Sequence, residues 1–272
     1  VWRSVAIVVA FLAAGVALYI FFIRTALGQN LDASSFAAVV ELRKITGPWA
    51  DGLRLGIPEA AGVLLLVLLI IALVHRRLRG AFAAVALSVI TLALSEGLKD
   101  VVVVRPFLGD FGYAENTFPS GHTAVTVSVL IGCYWLLPDR LRRPIVLVPL
   151  VILGAAGALF QVVAYAHRPS DVFGGALLVG AIAACFLGEG GGLGVAWRWI
   201  YWSLVVVSAA AGALCLIDWQ LSDYATAPQP IGTTGILLCA AACVGAAMIV
   251  GAERTMTRRP VAPARSMAIV SR

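Results

Sequence analysis

Three short segments bring together residue types that handle anions and protons. They are Leu98-Lys99-Asp100 running on to Arg105-Pro106, then Phe118-Pro119-Ser120-Gly121-His122, then His167-Arg168-Pro169-Ser170-Asp171. Ser120 is a good N-cap for the apolar run that follows it, and Gly121 lets a ligand come close to the free backbone N–H groups of that helix start. Such a start is a cradle for an anion. Asp171 follows His167 by four residues across a turn containing Pro169, a spacing that lets its carboxylate accept a hydrogen bond from one imidazole nitrogen. The other nitrogen is then aimed as a nucleophile. Plainer accounts compete: a histidine at a helix start facing headgroups for His122, and a capping aspartate beside an incidental histidine for Asp171. The chain has three histidines, and two of them fall in these segments.

The elements that must position these groups follow from composition. Of 272 residues 61% are hydrophobic and only 12% are Asp, Glu, Lys or Arg, too little polarity to coat a soluble domain of this size. A bilayer core about 30 Å thick needs about 20 apolar residues of helix, and eight stretches come close to that. They cover residues 5–23, 57–75, 81–98, 120–137, 145–166, 170–188, 198–217 and 232–252. The runs lack the alternation of a barrel, so the expected fold is all-α, a polytopic transmembrane helical bundle. The first run is longer than a usual signal-peptide core and is read as a retained span. The five cysteines, Cys133, Cys185, Cys215, Cys239 and Cys243, lie in apolar runs without metal-type spacing and read as small hydrophobes.

The net charge of +6 does not point to nucleic acid, because the basic residues sit in short clusters between apolar runs. Arg76, Arg77 and Arg79, then Arg140, Arg142 and Arg143, then Arg254, Arg258 and Arg259 follow the second, fourth and eighth runs and mark one side as cytoplasmic. Both termini are expected on that side, and all three anion-handling segments on the other. Between residues 24 and 56, Phe36, Val39, Val40 and Ile45 have near-helical spacing, which predicts a short interfacial helix that roofs a site or merely connects. The domain reading is a six-span core over 1–188, a Gly-rich hinge over 189–197, two additional spans within 198–252, and a basic tail over 253–272. Trp197, Trp199, Tyr201 and Trp202 mark an interfacial aromatic belt after the hinge.

In this order the three segments resemble the motifs of the type 2 phosphatidic acid phosphatase superfamily, which includes bacterial lipid phosphatases, undecaprenyl pyrophosphate phosphatases and soluble acid phosphatases related to vanadium haloperoxidases. The resemblance covers roughly residues 57–188. It implies that His167 attacks phosphorus to give a phosphohistidine, that Asp171 orients it, and that His122 donates a proton to the leaving group. It further implies that Lys99, Arg105, Ser120 and Gly121 bind phosphate oxygens, and that no metal or other cofactor is needed. Interfacial snorkelling remains the competing account of Lys99.

Two departures concern the phosphate-binding cations. Five residues separate Lys99 from Arg105 where the family usually has six, which on a continuous helix turns the lysine about 100° away. The family's third motif normally opens with Ser-Arg, and Phe160-Gln161 stands there instead. Gln161 offers a neutral hydrogen bond, and losing one charged contact in the transition state costs about 10²- to 10³-fold in rate, roughly 3 kcal/mol. Arg168 is the candidate to replace that charge. The expected function is dephosphorylation of a lipid phosphate or prenyl pyrophosphate at the extracytoplasmic face, with membrane lipids as the other partners. The alternative is a lipid-phosphate binding or transport protein on the same scaffold with hydrolysis weakened or lost. The preference for Arg over Lys and the alanine-rich composition fit a GC-rich bacterial genome, and the expected location is a bacterial plasma membrane.

Overall fold

The structure, a computed structural model, describes residues 2–110, 115–186 and 230–256. Every regular element among them is helical. Helix α1 (Trp2–Leu18) runs on through a π-helical turn, Tyr19–Ile23. It is followed by α2 (Ala26–Ala38), α3 (Val40–Val74) and α4 (Leu78–Gly97), the last continued by a second π-helical turn, Leu98–Val102. Then come α5 (Gly121–Leu136), α6 (Pro144–Val163), α7 (Pro169–Cys185) and α8 (Pro230–Met256). Among the described residues, four stretches are long and apolar enough to cross a membrane: Ser4–Ile23, Leu42–Val74, Leu78–Val102 and Ile145–Val163. Apolar but shorter are Gly121–Leu136, Pro169–Cys185 and Cys239–Glu253. The expected hinge 189–197, the expected span 198–217 and the tail from residue 257 lie outside the described residues.

Residue sorting is that of a membrane bundle. Val9, Val16, Val63, Ile70, Phe82 and Val89 are each more than half exposed on the outer faces of α1, α3 and α4, where lipid is the solvent. Small residues let the helices approach inside: Gly132 lies against Ala84 and Leu65, Gly154 against Val244, and Gly180 under the ring of Phe11. Ala240, Val244, Ala247 and Met248 of α8 are buried in the same hydrophobic cluster as Val127, Leu130 and Ile131 of α5. With its many small apolar residues and fitted shapes, the chain is a multi-pass membrane protein.

Helix α5 is the axis of the bundle, its side chains almost all buried among α3, α4, α6, α7 and α8. Its 16 residues span about 24 Å, less than a bilayer core, so both its ends lie inside the protein. At its C-terminus Arg77 donates to the carbonyls of Leu136 and Leu137 at 2.9 and 3.1 Å, and Arg142 to those of Trp135 and Leu137, both at 2.9 Å. Cations there satisfy carbonyls that have no helical donor and complement the helix dipole. Two of the three arginine clusters therefore meet at one end of α5, and His122 stands at the other.

The segment 24–56 departs from expectation. In place of a short helix around Phe36–Ile45, α2 ends at Ala38 and α3 begins at Val40, running 35 residues through Pro48 and Pro58. That is about 52 Å, so α3 extends well beyond a bilayer core on the histidine side. Pro48 and Pro58 each remove only one helical hydrogen bond, and α3 packs against α6 along this stretch.

Candidate active site

The second and third motifs are locked to each other through backbone. Ser120 caps α5 in an extended conformation, its Oγ accepting from the Thr123 N–H at 3.3 Å. Its own N–H donates to the carbonyl of Asp171 in α7 at 2.8 Å. Gly174 and Gly175 make this approach possible: a Cβ on Gly175 would lie 2.6 Å from the Ser120 carbonyl oxygen, and one on Gly174 would strike the Phe118 ring.

Helix α6 ends at Val163, and the chain reverses through Tyr165, whose φ of 57° lies in the left-handed region. The N–H groups of Ala166 and His167 both donate to the Gln161 carbonyl, at 3.0 and 3.1 Å, which sets His167 just above the end of α6. Pro169 holds Arg168 extended and starts α7 at its first helical position. His167 is thereby buried beside exposed His122. The ring centroids are 5.9 Å apart with planes inclined at 56°. Rings this close leave both imidazoles within reach of one phosphoryl group placed at the start of α5.

Asp171 does not make the expected hydrogen bond. Its Oδ2 stands 3.7 Å from His167 Nδ1, beyond hydrogen-bonding range. That oxygen instead accepts the Arg168 N–H at 2.9 Å and the Thr117 hydroxyl at 2.5 Å. His167 Nδ1 and Asp171 Oδ1 are both buried with no hydrogen-bond partner among the described residues. The helix-cap role of Asp171 and its position beneath the imidazole coexist.

The first motif is not a continuous helix. Lys99 lies in the π-helical turn, Val103 is extended, and the side-chain amide of Asn116 clamps the bend by donating to the carbonyls of Lys99 and Val103, both at 2.9 Å. The spacing argument about a straight helix therefore does not apply. Lys99 pairs with Glu96, whose carboxylate packs on Gly121 so closely that a Cβ there would lie 2.5 Å from Oε1. A protein carboxylate thus lies at the start of α5, the place where an anion is expected. Arg105, its side chain 4% exposed, is 3.8 Å from Asp32.

Two residues expected to touch phosphate are engaged elsewhere. Gln161 is fully buried and its Nε2 donates to the carbonyl of Arg54 at 3.0 Å. Arg168 is also fully buried and donates to the Glu115 carbonyl at 3.4 Å.

Asp32 of α2 escaped sequence reasoning. It accepts both the N–H and the hydroxyl of Ser170, at 3.1 and 2.6 Å, and so fills the N-terminus of α7. Burial, then the neighbouring Asp171, push its carboxyl up to about 7 against the pull of the Ser170 donors and Arg105. Gln29, one turn earlier, donates to the Pro106 carbonyl at 2.9 Å, so α2 braces the first and third motifs together. Glu96 was missed as well, although its i,i+3 spacing to Lys99 could have marked it. Nothing local marked Asp32.

Two imidazoles facing one another at a helix start, with Lys99 among the charges acting on His122, can hold a phosphoryl group and pass it between a nitrogen and oxygen. Comparison with curated proteins and with solved structures gives no match. Residues 81–205, which run from α4 past α7 and carry all three motifs, match the PAP2 superfamily, whose members are phosphatases, and over this part the chain is similar to the type 2 phosphatidic acid phosphatases.

Proposed function

We propose that the protein dephosphorylates a lipid phosphate or prenyl pyrophosphate at the extracytoplasmic membrane face through a phosphohistidine. The observation that carries this reading is the 5.9 Å approach of His122 and His167 at the capped start of α5. His167 Nε2 attacks phosphorus as the bond to the leaving oxygen breaks, and His122 delivers its proton to that oxygen. Positive charge then builds on the His167 ring, and Asp171, 3.7 Å away, is drawn into the hydrogen bond it lacks at rest. Water next attacks phosphorus, His122 takes its proton, the P–N bond breaks and phosphate leaves.

Lys99 and Arg105 stabilise the nonbridging oxygens, and Ser120 and Gly121 present the helix start. The aliphatic outer faces of α3 and α4 support a lipid substrate, whose tails would lie in the bilayer beside the site. The arginines gathered at the far end of α5 support the outward orientation.

Inorganic phosphate release from phosphatidic acid, phosphatidylglycerophosphate and prenyl pyrophosphate, by purified protein in EDTA, tests the reading. Turnover that vanishes in His167→Ala is expected. Binding of these lipids with no release by the unaltered protein would instead establish the second reading, a phosphate-binding chain without hydrolysis. The Glu96 carboxylate against Gly121 and the engaged Gln161 amide favour that second reading.

A further inference from the structure

Pro58 has no N–H, so the carbonyl of Arg54, four residues earlier in α3, lacks the donor that a regular helix supplies. Gln161 supplies it from α6 at 3.0 Å. Four residues before Gln161, Gly157 meets Ile57 so closely that a Cβ would lie 3.1 Å from Ile57 Cγ2. These paired contacts, four residues apart on α6 and three apart on α3, fix how α3 is rotated against the helix that leads into His167.

That rotation leaves Arg54 within electrostatic range of His122. Its charge is among those acting on His122, with those of His167, Glu96 and Lys99. The other cations of the site have carboxylate neighbours: Lys99 has Glu96, and Arg105 has Asp32. Arg54 has none among the described residues, and its Nε is buried without a hydrogen-bond partner. A half-buried guanidinium in that condition is stabilised by an incoming anion, and its forked donors match phosphate oxygens.

We propose that Arg54 binds a nonbridging oxygen of the phosphoryl group held between His122 and His167, a charged contact from outside the three motifs, with Gln161 as the residue that positions it. This rests on the phosphatase reading for its substrate but predicts anion binding in its own right. The probe is inorganic phosphate, titrated calorimetrically into the purified full chain, with lipid-phosphate turnover measured in parallel. Arg54→Ala should weaken phosphate binding at least 10-fold and slow turnover about 10²- to 10³-fold. Arg54→Lys should recover part of both. Arg54→Gln, which keeps hydrogen bonding without charge, serves if the alanine variant is unstable, and should behave like it. Gln161→Leu should weaken phosphate binding less than Arg54→Ala does. Phosphate binding unchanged in folded Arg54→Ala or Arg54→Gln overturns the proposal. Arg54-dependent phosphate binding in a chain that hydrolyses no lipid phosphate would support the anion site while removing the phosphatase reading.

Discussion

Asp32 takes both the backbone N–H and the hydroxyl of Ser170, so a residue of α2 caps the helix that begins two residues after His167. Its carboxyl is raised from 3.8 to about 7, which means the folded protein holds that proton more tightly than the unfolded chain does. Stability from this group is greatest when it is neutral and declines as pH rises from about 4 through about 7. Asp32→Asn mimics the neutral form. Thermal unfolding in detergent should show the variant close to wild type at pH 5 and gaining on it progressively to pH 8; a difference that does not change with pH would contradict the raised carboxyl.

Gly175→Ala places a methyl group 2.6 Å from the Ser120 carbonyl oxygen, where backbone, and not a flexible side chain, must yield. Overpacking of this kind costs about 1–3 kcal/mol. Because Ser120 and Asp171 are tied together at this contact, the two histidines should separate as well. A lowered melting temperature together with at least a tenfold loss of turnover in the remaining folded protein is expected. Loss of stability with full specific activity would show that the contact does not set the site.

His122→Ala should cost about 10²- to 10⁴-fold in turnover on a lipid phosphate, whose alkoxide needs a proton as it departs. An aryl phosphate with an acidic leaving group needs none. The variant should therefore release the first equivalent of p-nitrophenol, before the water step that His122 also serves, with a much smaller loss of rate than it shows in release of the lipid alcohol. Equal losses on both substrates would remove His122 from the role of proton donor.

Much of the bundle was legible because lipid demands long apolar helices, and the motif residues stand at helix ends where turn chemistry is local: Ser120 as a cap, Pro169 as a first helical residue. What was not legible depends on contacts distant in sequence. Asp32 lies 138 residues from Ser170 and nothing in its neighbourhood marks it. The Asp171 hydrogen bond to His167 failed because the same carboxylate oxygen answers the Arg168 N–H and the Thr117 hydroxyl. The start of α3 was misplaced because residues 40–56 carry too many polar and charged side chains to read as part of an apolar span. Pro58 did carry a usable clue, since a proline inside a helix leaves the carbonyl four residues back in search of a donor.

The most direct test is to trap the covalent intermediate. Rapid quenching of wild-type protein with ³²P-labelled lipid phosphate, under alkaline conditions that preserve phosphohistidine, should yield label on His167, with more of it accumulating in His122→Ala when an aryl phosphate is the donor. Full turnover with no labelled protein at any time, or label on a residue other than His167, would contradict the account.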